Sequence, residues 1–86
     1  MPYTVEVYRA AREVLAALPE KIRHPLGRMI AALGENPRPV GSRALHGRHA
    51  GLRRIRSGDF RIIYRVEDQH LLVLVVKIGH RREVYR

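Results

Sequence analysis

Residues 52–64 of this 86-residue chain, LRRIRSGDFRIIY, contain the clearest structural signal in the sequence. Two runs containing isoleucine, phenylalanine and tyrosine flank Ser57-Gly58-Asp59, whose glycine and aspartate are typical of a tight turn. The pattern predicts two antiparallel strands, Leu52–Ser57 and Phe60–Val66, joined by a two-residue loop. This hairpin determines which side chains share a face of the sheet.

A two-residue loop sets the register, so that Ser57 faces Phe60 and Arg56 faces Arg61. Cross-strand partners share a face and each strand alternates faces. The apolar side chains therefore point to one layer: Ile55, Phe60, Ile62 and Tyr64. The arginines point to the other face: Arg54, Arg56 and Arg61.

Arginines gathered on one face indicate a phosphate site. Like charges opposite each other destabilise a sheet, and the hairpin offers no acid on this face. A planar guanidinium binds phosphate through two parallel hydrogen bonds. The alternative is three surface arginines that extend into solvent.

The rest of the chain predicts an α+β fold. A strand over Pro2–Tyr8 precedes a helix over residues 9–17, and a second helix follows with one apolar stripe: Ile22, Leu26, Met29, Ile30 and Leu33. Gly34 is expected to cap that helix, and residues 35–51 to form a surface loop. The nearly continuous apolar run Leu71–Gly79 predicts a central strand covered on both faces. We therefore expect one domain over residues 1–86, with order β-α-α-β-β-β, a mostly antiparallel four-stranded sheet, two helices on one face and the other face open.

Two residues conflict with this pattern. Pro25 is compatible with the second helix only if that helix begins near Arg23 or is kinked in its first turn. Arg53 falls on the face assigned to the core, so we expect its side chain to reach solvent at the strand edge.

Charge is the strongest compositional signal. Seventeen basic residues, fifteen of them arginine, oppose eight acidic ones and give a net charge of +9. Such a chain favours a polyanion or an acidic protein partner. The alternative is a solvated surface whose arginine content reflects a GC-rich genome.

Other compositional features narrow the class of protein. There is no cysteine, which excludes disulfides and zinc–thiolate sites. The N-terminus lacks the apolar core of a signal peptide, and the longest apolar run, Leu71–Val76, is too short for a membrane helix. The pair His46 and His49 is a weak metal signal without a neighbouring carboxylate. We expect a cytoplasmic protein with no membrane association, no metal and no cofactor.

Catalysis on a phosphate would need a proton carrier, because arginine stays protonated at neutral pH. The C-terminal stretch offers His80, whose ordinary pKa lies near neutrality, the Tyr85 phenol and Glu83. Each has a structural alternative: His80 could cap or pack the end of a strand, Tyr85 could dock the tail on the sheet, and Glu83 could be a salt-bridge partner.

The hairpin at residues 52–64, together with Ile78-Gly79-His80-Arg81-Arg82-Glu83-Val84-Tyr85, resembles the RelE/ParE toxin superfamily. The resemblance covers essentially the whole chain and is nearer to the RelE-like branch. It implies a toxin of a type II toxin–antitoxin system that enters the A site of the 30S ribosomal subunit and cleaves mRNA there. The ribose 2′-hydroxyl attacks the adjacent phosphate, and no metal takes part.

The resemblance also implies roles for individual residues. Arg54 and Arg56 match strand positions that hold phosphate, as Arg82 is expected to do, and Arg61 and Arg81 match arginines that stabilise transition-state charge. Tyr85 matches a tail tyrosine, and His80 matches a position often held by histidine. RelE enzymes carry lysines where Arg54 and Arg56 stand, and one lysine can transfer protons. Proton transfer is therefore expected to shift to Tyr85 or His80.

Two functions remain open from the sequence. The first is a ribosome-dependent endoribonuclease. The second is a ParE-like inhibitor of DNA gyrase without nuclease activity, which does not require arginines gathered on one face. Both imply an acidic antitoxin that neutralises the charge in a toxin–antitoxin hetero-oligomer.

Overall fold

A computed structural model describes residues 2–80 of the chain. Two helices and five strands follow in the order β1 Thr4–Val7, α1 Arg9–Ala17, α2 Glu20–Ala32, β2 Arg43–Ala44, β3 Arg53–Ser57, β4 Phe60–Glu67 and β5 Leu72–His80. The strand order in the sheet is β1-β5-β4-β3-β2; β1 runs parallel to β5, and the other pairs are antiparallel. The predicted α+β class, with two helices on a mostly antiparallel sheet, is confirmed.

The strand count differs from the prediction. The sheet has five strands rather than four, because β2 lies within the segment predicted as a loop, residues 35–51. Its two residues pair with Arg53 and Arg54 of β3. A strand of two residues is too short to show an alternating pattern, so the sequence contains no periodic signal for it.

The core lies between the helices and one face of the sheet. Leu26 and Leu33 from the predicted helical stripe are almost fully buried, against Ile62, Val73 and Val75 of the sheet. The prediction that β5 is the doubly covered strand is wrong. Consecutive burial occurs in the middle strand β4, at residues 62–64, whereas in β5 buried residues alternate with half-buried ones.

Helix α2 accommodates Pro25 without a late start. It begins at Glu20, three residues before the predicted Arg23, and contains Pro25. Proline removes one intrahelical hydrogen bond, to the carbonyl of Lys21, and this turn is exposed, where water can satisfy that carbonyl. No helix within residues 2–80 is long and apolar enough to cross a bilayer.

Gly34 has a different role from the predicted helix cap. It lies just beyond the capping residue Leu33, and its carbonyl accepts a hydrogen bond from the Tyr3 N–H at 2.7 Å. A Cβ atom at position 34 would lie 3.0 Å from the Tyr3 carbonyl oxygen. Glycine therefore allows the close backbone approach of β1 and the end of α2, which a side chain would force apart by a few tenths of an ångström.

Candidate nucleic-acid interface

The β3–β4 hairpin has the register predicted from its two-residue loop. Ser57 pairs with Phe60, Arg56 with Arg61 and Ile55 with Ile62. Gly58 has a φ of 59°, the left-handed conformation that such a loop requires and that glycine adopts without strain.

This register separates the two kinds of side chain. Ile55, Ile62 and Tyr64 are buried on the helix-covered face. Arg54, Arg56 and Arg61 share the opposite side of the sheet, which we call the uncovered face; Arg56 is exposed, and the other two are half-buried. The predicted gathering of three arginines on one face is confirmed.

A fourth arginine joins them from the segment predicted as a loop. Arg43 in β2 pairs with Arg54, so its side chain lies on the uncovered face as well. We call Arg43, Arg54, Arg56 and Arg61 the arginine patch. Sequence reasoning missed Arg43 because strand β2 is too short to be detected.

The sequence predicts an open face opposite the helices, but this face also contains a buried residue. Ile63 lies between Arg54 and Lys77 in the register and is only 4% exposed, apart from the main core cluster. The apolar stems of its long basic neighbours are suited to cover such a residue. Beside it, Arg61 pairs with Gly79, which adds no side chain to this face.

In the described part of the chain, no acid neutralises the arginine patch. Within residues 2–80, none of its four arginines forms a salt bridge; the ion pairs involve Arg9–Glu13, Arg38–Asp68, Arg65–Glu67 and His70–Glu67. The Nη1 atom of Arg61 is buried and has no hydrogen-bond partner among these residues. A buried unsatisfied guanidinium nitrogen is costly, so an incoming anion would relieve it.

His80 is not brought together with the arginine patch. It pairs with Phe60 at the end of β5, and the two rings meet edge to face with centroids 5.8 Å apart. Phe60 packs against the core, so His80 lies on the helix-covered side of the sheet. The structure thus favours the packing interpretation of His80 over the catalytic one.

The remaining predicted site residues, Arg81, Arg82 and Tyr85, lie outside the described residues, as does Glu83. Their roles stay predictions. Among residues 2–80, no three histidine, cysteine, aspartate or glutamate side chains gather as a metal site would require.

Arg53 does not extend freely into solvent, contrary to the expectation. Its side chain is half-buried on the helix-covered side, and its Nη2 donates a hydrogen bond to the Ser42 hydroxyl at 2.8 Å. Its Nε is buried without a partner in the described part of the chain. The residue ties β3 to the segment that leads into β2.

A second arginine environment lies at the other end of the sheet, where Arg38 meets an acid. Its guanidinium binds Asp68 through two hydrogen bonds, of 3.1 and 2.8 Å, and the Tyr3 hydroxyl donates to the same carboxylate at 2.6 Å. We call Tyr3, Arg38 and Asp68 the Arg38 cluster. The hydrogen bonds from Arg38 and Tyr3 lower the pKa of Asp68 to about 2.

The segment that carries Arg38 is also fixed from inside the core. The buried Tyr64 hydroxyl donates a hydrogen bond to the Pro37 carbonyl at 2.8 Å. Tyr64 and Asp68 thus hold two consecutive residues of this segment on the body of the domain.

With this geometry established, comparison with known proteins identifies the family. A family model described as the ParE toxin of the type II toxin–antitoxin system parDE matches residues 5–85. The chain belongs to this family of type II toxins. Its fold is therefore that of a toxin of a toxin–antitoxin system.

Individual relatives point to the RelE-like branch of the superfamily. Toxin RelG of Mycobacterium tuberculosis is 34% identical over all of this chain and 99% of its own length. The toxin–antitoxin complex RelBE2 of M. tuberculosis contains a chain with a TM-score of 0.84 at 30% identity, covering 96% of this chain and 95% of that one. The RelE–RelB complex of Pyrococcus horikoshii gives a TM-score of 0.83 at 26% identity, covering 98% and 100%.

Proposed function

We propose that this toxin is a ribosome-dependent mRNA endonuclease that cleaves messenger RNA in the A site of the small ribosomal subunit. The observation that supports it is the arginine patch, whose four side chains share one face without an acidic partner in residues 2–80. An RNA backbone supplies closely spaced negative charges to such a surface.

The proposed chemistry is an internal transesterification. The ribose 2′-oxygen attacks the adjacent phosphorus, the bond from phosphorus to the 5′-oxygen breaks, and a 2′,3′-cyclic phosphate and a 5′-hydroxyl result. Negative charge builds on the phosphorane oxygens, where a guanidinium stabilises it. We assign this role to Arg61, whose buried Nη1 lacks a partner in the described chain, and we assign phosphate positioning to Arg54 and Arg56.

Two protons must move in this reaction, one from the 2′-hydroxyl and one to the departing 5′-oxygen. The location of His80 on the helix-covered side argues against it as their carrier. We assign proton transfer to Tyr85, the other candidate proton carrier in the C-terminal stretch. Arg81 and Arg82 complete the proposed set as charge-stabilising and phosphate-binding residues.

We further propose that residues 1–86 form one toxin domain that acts in the cytoplasm and is held inactive by an acidic antitoxin. The net charge of +9 favours an acidic partner. Both structural relatives named above are toxin–antitoxin complexes, and we infer a hetero-oligomer of the same kind here.

The test is translation of a defined mRNA in a purified system, with 5′ ends mapped by primer extension. The wild type should cut within codons occupied by the A site, and Arg61→Ala should cut far less. Arg12→Ala is the matched control, because Arg12 is an exposed arginine of α1, outside the patch. Intact mRNA with wild-type toxin, or equal cleavage by Arg61→Ala, would contradict the proposal.

A ParE-like inhibitor of DNA gyrase is the second candidate, favoured by the description of the matching family model. The same protein preparation separates the two functions. Uncut mRNA together with inhibited supercoiling by purified gyrase supports this candidate. Cut mRNA with unaffected supercoiling excludes it.

A further inference from the structure

Tyr8 is a large aromatic residue that the fold leaves exposed. It follows β1 directly, precedes α1 and is 46% exposed. The other tyrosines of residues 2–80 have contacts inside the domain: Tyr3 donates to Asp68, and the buried Tyr64 donates to the Pro37 carbonyl. The Tyr8 hydroxyl makes no hydrogen bond within the described chain. The fold therefore does not use this side chain.

The backbone places the Tyr8 ring on the uncovered face. In β1, Val5 and Val7 pack against the core, so Glu6 between them points to the uncovered side. Tyr8 continues this alternation, because its backbone is extended and its N–H donates to the Val75 carbonyl at 2.9 Å. The side chain therefore lies on the same side of the sheet as the arginine patch.

Tyr8 lies at one end of a row of residues that crosses all five strands. Its hydrogen bond makes Val76 its neighbour in β5, by the same offset that pairs Thr4 with Leu72. We call the residues that follow across the uncovered face, together with Tyr8 and Val76, the cross-strand row: Lys77, Ile63, Arg54 and Arg43. With neighbouring strands about 4.8 Å apart, Tyr8 lies about 14 Å from Arg54.

The cross-strand row changes from cationic to apolar along its length. Arg43 and Arg54 belong to the arginine patch, whereas the half-buried Val76 and the exposed Tyr8 present carbon surface at the other end. Single-stranded nucleic acid has the same two components, because its backbone is anionic and each unpaired base has an aromatic face. The two ends of the row thus match the two parts of one nucleic-acid strand.

Acidic residues restrict the path of a polyanion on this face. Glu6 lies opposite Leu74 and Glu67 lies opposite Leu72, so both carboxylates are on the uncovered face, toward the end of the sheet away from the β3–β4 loop. A phosphate backbone is repelled from that end. The favoured path therefore follows the cross-strand row from the arginines to Tyr8.

From these features we propose that Tyr8 stacks on an unpaired base of the RNA, a few nucleotides from the phosphate that Arg54 holds. This inference deepens the proposed function and rests on it. Stacking on a tyrosine ring accepts every base, because each base has a π face. Tyr8 is thus a positioning residue that fixes the path of the RNA across the sheet without reading its sequence.

The test compares two oligomers that carry the same backbone charge. One is a short oligomer of deoxyadenosine, and the other is an abasic deoxyribose-phosphate oligomer of the same length. Neither has a 2′-hydroxyl, so the proposed reaction cannot cleave them. The full-length wild type should bind the deoxyadenosine oligomer about tenfold more tightly, as expected for one stacked base. Equal affinity for the two oligomers would overturn the proposal.

Two substitutions at position 8 assign this preference to the ring. Tyr8→Ala should bind the deoxyadenosine oligomer about tenfold more weakly and the abasic oligomer as the wild type does. Tyr8→Phe keeps the ring and should bind both oligomers like the wild type. If Tyr8→Ala still prefers the deoxyadenosine oligomer, or loses affinity for both oligomers equally, the stacking role is refuted.

Val14→Ala is the matched control for Tyr8→Ala. Val14 is an apolar residue of α1 with a similar exposure, 39%, outside the cross-strand row. It should bind both oligomers with wild-type affinity. A loss of base preference in Val14→Ala equal to that in Tyr8→Ala would place the base on the helices and contradict the proposal.

Arg54→Ala should give the opposite pattern to Tyr8→Ala. Because both oligomers have the same phosphates, this variant should bind both more weakly by a similar factor. A loss confined to the deoxyadenosine oligomer would show that Arg54 does not hold the backbone, and the proposed path along the row would be wrong.

Ring contact is observed directly by NMR of toxin with 13C-labelled tyrosine. The Tyr8 ring signals should move to lower frequency when the deoxyadenosine oligomer is added, because a stacked base shields the ring. The abasic oligomer should leave them in place, and Tyr64 should respond to neither oligomer. Tyr8 ring signals that do not move with the deoxyadenosine oligomer would overturn the proposal.

Failure of this inference is distinguishable from failure of the proposed function, since the oligomer measurements need neither a ribosome nor cleavage. A toxin whose base preference depends on Tyr8, but which leaves mRNA intact on the ribosome, keeps the base site and loses the proposed nuclease activity. A toxin that cuts mRNA but binds the two oligomers equally keeps the proposed function and loses the base site.

Discussion

The sheet presents arginine in two contrasting environments. In the Arg38 cluster, the guanidinium has a bidentate carboxylate partner, and a tyrosine hydroxyl shares that carboxylate. In the arginine patch, Arg56 lies directly opposite Arg61 and Arg43 opposite Arg54, and no acid among residues 2–80 pairs with any of them. The first arrangement satisfies its own charge, whereas the second requires a ligand.

The position of nearby acids matters more than the number of arginines. It distinguishes an arginine that stabilises the fold from an arginine that is available to bind a ligand. The carboxylate at position 68 fixes the segment after α2. The patch has opposing like charges, which lower the stability of a sheet. The two environments therefore predict opposite consequences of mutation.

The largest effect is expected for Arg61→Ala. mRNA cleavage on the ribosome should fall about a hundredfold or more, as when one preorganised donor to a developing anion is removed. The free energy of unfolding should not fall by more than about 0.5 kcal/mol, because the substitution removes a buried unsatisfied nitrogen and one of two opposing like charges. If Arg38→Ala loses as much activity as Arg61→Ala in the same mapping of mRNA ends, the two arginine environments do not differ in function.

The next largest effect is expected for Tyr64→Phe, which removes the hydrogen bond that holds the segment carrying Arg38 against the core. Removal of the hydroxyl leaves the Pro37 carbonyl without its buried donor, and the free energy of unfolding should fall by about 1–2 kcal/mol. Urea denaturation measures this change. Tyr8→Phe is the control, since Tyr8 is 46% exposed, and an equal loss there would contradict the account.

A smaller effect of opposite sign is expected in the patch. Arg56→Gln removes one of two like charges that face each other, and should raise the free energy of unfolding by about 0.5 kcal/mol at low salt. The gain should disappear at high salt, because exposed charges are then screened. Destabilisation by Arg56→Gln at low salt would show that the patch is structural after all.

The smallest effect concerns acid pH and the Arg38 cluster. The folded pKa of Asp68, about 2, lies below its ordinary value of 3.8, so its contribution to stability is present above pH 4 and is lost as the pH falls through 2. Asp68→Asn should therefore unfold more easily than the wild type near pH 6, and the difference should shrink on acidification. Thermal unfolding from pH 6 to pH 2 measures it; a difference that grows at low pH would contradict the assignment.

The hairpin was predictable because its register depends on local chemistry. A two-residue loop with glycine at position 58 pairs Ser57 with Phe60 and so determines the partner of each residue farther from the loop. Because side chains alternate between faces, the arginines and the isoleucines of the hairpin then lie on opposite faces. The arginine patch could thus be located from residues 54–61 alone. Its fourth member could not, because Arg43 reaches β3 through a strand of two residues.

His80 shows where local reasoning failed. The pairing of β4 with β5 shifts by one residue between Ile63 and Tyr64, so that Phe60 meets His80 rather than Gly79. This irregularity turns Lys77 to the uncovered face and His80 to the helix side. Chemistry alone made His80 one of two candidate proton carriers, and no sequence pattern marks the shift that places it on the helix-covered side.

The Arg38 cluster was equally hidden, because its members are separated by 30 residues or more along the chain. Nothing in the composition around Asn36-Pro37-Arg38-Pro39 distinguishes Arg38 from the arginines of the patch. Only the three-dimensional approach of Asp68 and Tyr3 does so.

The most direct test follows the arginine side chains themselves. Nε–Hε correlations of 15N-labelled toxin, titrated with an RNA that carries a 2′-deoxy sugar at the cut site, report which guanidiniums meet phosphate. The signals of Arg43, Arg54, Arg56 and Arg61 should shift together, whereas Arg38 should stay unchanged. Shifts restricted to arginines of the helices, with the patch unaffected, would contradict the central claim.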